Sequence, residues 1–256
     1  MGMLTSNIVS RLRDRCQRSA SSRFGRRMVN LRLDQPVISF TFDDFPKSAL
    51  HSGGSILRRY GAHGTYYVSL GLKGRAIPAG PAFSDLELLQ VIDDGHELGC
   101  HTFDHCHAWD TRPARFEQSI IANGKALSEL RPNWVLKTLS YPIACPRPGT
   151  KRRAAKYFAC CRGGGQTLNV GRTDLNSLKA CFLEKCKNSP EFVEELIEEN
   201  CRAKGWLIFA THDICEDPSP FGCRPQFFEK VVKRAVDSGA KVLPVAKAWE
   251  EISSRI

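Results

Sequence analysis

From residue 33 onward the chain alternates short apolar runs with amphipathic stretches. VISFTF (37–42), TYYVS (65–69), WLIFA (206–210) and KVLPV (241–245) are rich in β-branched and aromatic residues and predict strands. Between them the apolar period becomes that of a helix. Ser84 followed three residues later by Glu87 forms a capping box ahead of Leu86, Leu88, Leu89, Val91 and Ile92, and Gly95 supplies the stop. Ser189 and Pro190 begin another helix, with Phe192, Val193, Leu196, Ile197 and Cys201 on one face. Glu194, Glu195, Glu198 and Glu199 lie opposite and read as a solvated face. This alternation predicts an α/β fold with a largely parallel sheet or barrel.

With 256 residues and 42% hydrophobic composition, the chain can bury one sizeable core, so a single main domain is expected over residues 33–256. Residues 1–32 differ. They are rich in Arg and Ser, and eight arginines against Asp14 account for +7 of the formal net charge of +10. Leu4, Ile8, Leu12 and Cys16 recur every four residues, as on one face of a short helix. The expectation is a mobile basic leader, able at most to touch an anionic membrane surface weakly. The small excess left for the main domain argues against a nucleic-acid partner. No run of eighteen apolar residues predicts a transmembrane helix, and no secretory signal is recognised, which together suggest a cytoplasmic protein. Eleven scattered cysteines, an odd number without a CxxC, read as reduced thiols rather than a disulfide framework or a second metal site.

Three polar stretches stand at the ends of apolar segments. In SFTFDDFPKS a strand runs into Asp43 and Asp44, and adjacent carboxylates after a buried strand call for a cation or a cationic side chain. In ELGCHTFDHCHAWD, His101 and His105 have HxxxH spacing, which on a helical turn or tight loop points two imidazoles at one cation. In GWLIFATHDI five apolar residues lead to Thr211, His212 and Asp213. Each has a plain structural explanation, as turn residue, surface pair or satisfied boundary histidine. Three such ends on one rim are nevertheless what a barrel active site requires.

SFTFDD, CHTFDH, LSYPIA and LIFATHD, in that order, resemble the motifs of the NodB-homology polysaccharide deacetylases, carbohydrate esterase family 4, across residues 36 to about 250. The text from DDFPKS to VSLGL is similar to a bacterial chitooligosaccharide deacetylase subgroup. The resemblance implies a distorted (β/α) barrel in a single domain, and removal of N-acetyl groups from N-acetylglucosamine units of an oligo- or polysaccharide. It makes Asp43 the general base, Asp44, His101 and His105 the metal ligands, His212 the general acid and the Ile143 backbone N–H the oxyanion donor. Amide hydrolysis needs these parts: an activated water, stabilisation of the oxyanion and a proton for the departing amine. Zinc suits a mixed imidazole and carboxylate set, with cobalt or manganese as alternatives.

The chain departs from the family pattern at the third motif, where Ser140 stands in place of an Arg that orients the base. Arg162 and Arg172 are the candidate substitutes, and Asp174 in GRTDLN is the candidate for orienting His212. Three other readings remain open at this stage. The same fold could hydrolyse a non-sugar amide, the His–His–Asp set could serve Fe(II) oxygen chemistry, or the domain could be a glycan-binding pseudoenzyme. The iron reading assigns no role to Asp43 or His212.

Overall fold

Val37–Phe42 (β1) is buried at every position, as expected of a strand covered on both faces. The other strands of its sheet are β2 (Thr65–Val68), β3 (Glu97–Cys100), β4 (Thr138–Ser140), β5 (Cys160–Arg162), β6 (Cys181–Phe182), β7 (Trp206–Thr211) and β8 (Lys241–Val242). The helices are α1 (Gly2–Arg23), α2 (Ser55–Arg59), α3 (Asp85–Asp93), α4 (Pro113–Leu130), α5 (Pro148–Ala154), α6 (Pro190–Ala203), α7 (Pro225–Asp237) and α8 (Val245–Ser253). This computed structural model describes residues 2–143, 145–186 and 189–254, with side chains from residue 12 onward. The expected apolar positions Leu4 and Ile8 therefore lie outside the described side chains.

The strand order is β6-β7-β1-β2-β3-β4-β5, all pairs are parallel, and β8 pairs with the start of β1. Leu178 bridges to Arg162 in β5, while Cys181 and Phe182 pair with Phe209 and Ala210 in β7. One short segment thus joins both edges and curls the sheet into a distorted barrel. The sequence supplies this through alternation: Leu207 and Phe209 join one core with Phe40, Phe42 and Phe228, whereas Trp206, Ile208 and Ala210 join a second with Val245, Ala248 and Ile252 of α8.

Local signals set the helix boundaries. The capping box of α3 is formed, and Gly95 beyond it has φ +78°. Pro opens α4, α5, α6 and α7, where its missing N–H would have been unpaired. The expected strand 241–245 is shorter than its pattern suggested, because Pro244 cannot donate to a ladder and instead precedes α8.

The basic N-terminal segment is attached to the domain by specific contacts. Arg13 pairs with Asp110 at 2.6 Å, and Lys151, itself fully buried, donates to the Ser21 carbonyl at 2.8 Å. Met28–Leu31 pairs antiparallel with Gly171–Asp174. The boundary expected at residue 32 therefore does not separate packed from unpacked chain. Among the described residues, no helix is long and apolar enough to cross a membrane.

Candidate active site

Parallel strands bring their carboxyl ends to one rim, and the polar motifs sit there. The Asp43 N–H donates to the Thr211 carbonyl at 2.9 Å, one step beyond β1, and the His101 N–H donates to the Val68 carbonyl at 2.9 Å, one step beyond β3. Of the eight non-glycine residues with positive φ among those described, five belong to these strand ends: Asp44, Phe45, Thr102, His105 and Ile143. Such backbone is costly for L-residues, and here it re-aims side chains that an extended strand would alternate. The HxxxH pair accordingly lies on a loop rather than a helix.

Asp44 is the centre of convergence. Its Oδ1 lies 3.1 Å from His105 Nε2 and 3.5 Å from His101 Nε2, and its Oδ2 lies 3.9 Å from His212 Nε2. Despite these neighbours the buried Oδ1 has no partner with hydrogen-bonding geometry. Asp44, His101 and His105 offer three ligand atoms within 4.8 Å of one another. His101 Nδ1 is 2.8 Å from the Ser140 carbonyl, which can only accept, so the proton resides on Nδ1 and the Nε2 lone pair faces Asp44. This tautomer, the orphaned carboxylate oxygen and the donor set fit a divalent cation.

Electrostatics favour the same state. Burial pushes the His101 imidazole down to about 4, against the pull of Asp43 and Asp44, which keeps it neutral. Burial opposes ionisation of Asp44 too, but His105, His101 and His212 around it hold its carboxyl below the usual range. His105 is raised because the Asp44 carboxylate outweighs its burial.

Asp43, 5% exposed, accepts a hydrogen bond from Nη2 of Arg162, which is 1% exposed. The same nitrogen reaches Ser140 Oγ at 2.5 Å, and the guanidinium lies between the rings of Tyr67 and Phe182, 5.2 and 5.5 Å from their centroids. Ser140 and Arg162 are directly paired across β4 and β5. The arginine missing at 140 is thus matched by one on the neighbouring strand in the same row, and the short Ser140 side chain leaves the space it fills. Burial alone would raise the Asp43 pKa. The Arg162 guanidinium, helped by His101 and His212, reverses this and holds the carboxyl well below its ordinary value.

Other expectations separate here. Arg172 is exposed on the Gly171–Asp174 ribbon, where it pairs with Asn30 across the ladder. Asp174 is engaged away from His212: its Oδ1 accepts from the N–H groups of Arg27 and Asn176 at 2.9 and 3.0 Å, and its Oδ2 pairs with Lys151 at 2.5 Å. Its carboxylate neutralises a buried lysine, so the expected orienting role does not stand. His107 and Asp110 pair with each other at 3.5 Å, and Asp110 also holds Arg13. Ile143 follows β4 at the rim with φ 67° and its side chain 65% exposed.

Glu184 is the group that sequence reasoning missed. It lies on the turn Leu183–Lys185 directly after β6. The parallel pairing Cys181↔Phe209, Phe182↔Ala210 brings this turn to the His212 strand end, near enough for the two side chains to act on each other's charge. The buried Oε2 of Glu184 and the buried Nδ1 of His212 each lack a partner. Burial raises the Glu184 pKa, with His212 opposing. Only the pairing of the two-residue β6 reveals this neighbour, and no sequence signal marks so short a strand.

The family profile described as polysaccharide deacetylase matches residues 30–158, half of the chain. The chain belongs to the polysaccharide deacetylase family. Within it, residues of this deacetylase-family chain are 28% identical over 136 positions to a peptidoglycan-N-acetylglucosamine deacetylase of Bacillus cereus. That match covers 53% of this chain and 56% of the relative, so it spans about half of the relative's length. Among solved structures, a mutant of peptidoglycan deacetylase PdaC from Bacillus subtilis superposes with a TM-score of 0.59 at 15% identity, covering 87% of this chain and 93% of that one. A family 4 acetyl xylan esterase from Clostridium thermocellum, in complex with a cobalt ion, gives 0.58 at 15% identity over 84% and 91%. These superpositions establish the shared fold.

Proposed function

We propose that this chain hydrolyses the N-acetyl amide of N-acetylglucosamine units in an oligo- or polysaccharide, releasing acetate and a free amine. The observation that carries the reading is the pairing of Asp43 with Arg162 beside the Asp44, His101 and His105 set, with His212 facing the same carboxylate. Membership of the family and the likeness to a peptidoglycan-N-acetylglucosamine deacetylase support it.

Asp44, His101 and His105 would hold a divalent cation, for which zinc is the best match to the donors and cobalt or manganese are alternatives. When bound, the cation supplies Lewis acidity that polarises the acetyl carbonyl and the attacking water. Asp43 removes the proton from that water. Its depressed pKa keeps it ionised, and the hydrogen bond from Arg162 orients it. The Ile143 backbone N–H stabilises the developing oxyanion. His212 gives a proton to the nitrogen as the C–N bond breaks, and Glu184 behind it steadies the imidazole as that proton moves.

The deciding experiment is acetate release from N-acetylglucosamine oligomers and other acetylated glycans by the wild-type chain, Asp43→Asn and His212→Ala. Release by the wild type alone is expected. Binding without release by the wild type would instead identify a glycan-binding pseudoenzyme.

A further inference from the structure

The loop DPSPFGCRP (217–225) follows the His212 strand end, and its role is not accounted for by the chemistry above. It is fastened from within. Asp213, 2% exposed, accepts from the Ser219 N–H at 2.7 Å and from the Ser219 hydroxyl at 2.6 Å. The Ser219 hydroxyl in turn accepts from the Phe221 N–H at 3.1 Å. The Phe221 carbonyl takes the His212 N–H at 3.3 Å and faces the Thr211 hydroxyl at 3.4 Å. Gly222 packs so tightly that a Cβ there would lie 2.3 Å from Asp213 Oδ1. The backbone on either side of residue 221 is therefore fully specified.

What this fastening presents is a phenyl ring in water. Phe221 is 45% exposed, whereas Phe40, Phe42, Phe45, Phe83, Phe209 and Phe228 are buried. Its centroid lies 5.4 Å from the His212 imidazole, with the planes tilted by 47°. Isolated exposed apolar residues are common on protein surfaces. This one differs because a buried carboxylate, a hydroxyl and a crowded glycine all hold it beside a candidate proton donor.

We propose that Phe221 is the stacking platform for the pyranose ring whose acetamido group enters the site, and that it sets the preference for sugar over non-sugar amides. The inference rests on the deacetylase reading above. A pyranose offers a face of C–H groups, and the electron-rich face of an aromatic ring is its complement. Because the loop is already fastened, little ordering is needed on binding. A ring anchored next to His212 also fixes where the departing nitrogen lies relative to that imidazole.

The test compares wild type, Phe221→Ala and Phe221→Trp. Steady-state acetate release is measured with the N-acetylglucosamine tetramer, and calorimetric binding of the same tetramer is measured in an Asp43→Asn background. Phe221→Ala is expected to raise both KM and Kd about tenfold, with a smaller effect on kcat, and Phe221→Trp to recover most of the affinity. Unchanged KM and Kd in Phe221→Ala, or a loss confined to kcat, overturns the proposal, the latter by making the ring a positioning group for His212. Should the wild type release no acetate, the deacetylase reading fails by itself. The binding titration still decides the platform: a Kd unaltered by Phe221→Ala rejects it.

Discussion

Arg162 and Asp43 form a buried ion pair across 119 residues of sequence, and each gives the other its partner for leaving water. Neither position is intelligible alone: a carboxylate and a guanidinium this deeply buried are tolerated only together. The pair also shows how the third motif can lose its arginine without leaving Asp43 unsupported.

Arg162→Ala is expected to lower kcat/KM for acetate release at least a hundredfold and to destabilise the fold by about 3–5 kcal/mol, since Asp43 is left buried and unpaired. Arg162→Lys should recover only part of the rate, because an ammonium loses the planar group that lies over Tyr67 and Phe182 and the second nitrogen that donates to the Gly163 carbonyl. Arg172→Ala should stay within about twofold of wild type, as its side chain is exposed on the ribbon. Kinetics with a parallel denaturant titration check all three.

The wild-type chain is expected to bind one divalent ion, measured by elemental analysis after dialysis, and His101→Ala to lose it while keeping its circular dichroism spectrum. Chelation should abolish acetate release, and zinc, cobalt or manganese should restore it. Unchanged metal content in His101→Ala would remove this residue from the ligand set.

For Glu184→Ala, the expected result is a fall in kcat of about ten- to hundredfold with metal content retained. Glu184→Asp should recover part of it and shift the alkaline limb of the pH–rate profile. A pure stability change with normal kcat would show that the carboxyl does not act through His212.

Asp174 separates structural from catalytic importance. Removing it strands the fully buried Lys151, so Asp174→Ala should cost about 3–5 kcal/mol in urea unfolding while folded protein keeps the wild-type kcat. A selective loss of kcat would reinstate an orienting role.

Acid dependence should be visible at Glu87, whose side chain is 4% exposed. Burial opposes its ionisation, but the Ser84 hydroxyl and N–H, with Lys47, hold its carboxyl down at about 2 against an ordinary 4.5. A folded pKa below the unfolded one stabilises fully above about pH 4.5, and that contribution is lost as pH falls through about 2. Glu87→Gln is therefore expected to lower stability by about 1–2 kcal/mol at pH 7, with the gap narrowing as pH falls from about 4.5 to about 2. Unfolding titrations at several pH values measure it.

Much of the scaffold was readable from local pattern. β1, β2 and β7 were marked by short runs rich in β-branched and aromatic residues, α3 by its capping box and α6 by its Pro start and apolar face, since these are short-range effects of periodicity and of unpaired helix-end groups. β4, β5 and β6 were not, because strands of two or three residues are defined by what they pair with. Similarly, residues 1–32 read as a mobile basic leader because Asp110 and Lys151, which hold Arg13 and Ser21, lie about a hundred residues downstream.

The same division runs through the site. Asp43, Asp44, His101, His105 and His212 could be named from sequence because each follows a strand end, where backbone direction alone places it on the rim. The choice of Arg162 over Arg172, the removal of Asp174 and the appearance of Glu184 could not. Those depend on strand register: Ser140 opposite Arg162, and Cys181 and Phe182 opposite Phe209 and Ala210. Sequence determined which chemical groups reach the rim. Tertiary structure decided which of them meet, because a buried charge is stabilised by whichever partner lies within a few ångströms, however far away it is along the chain.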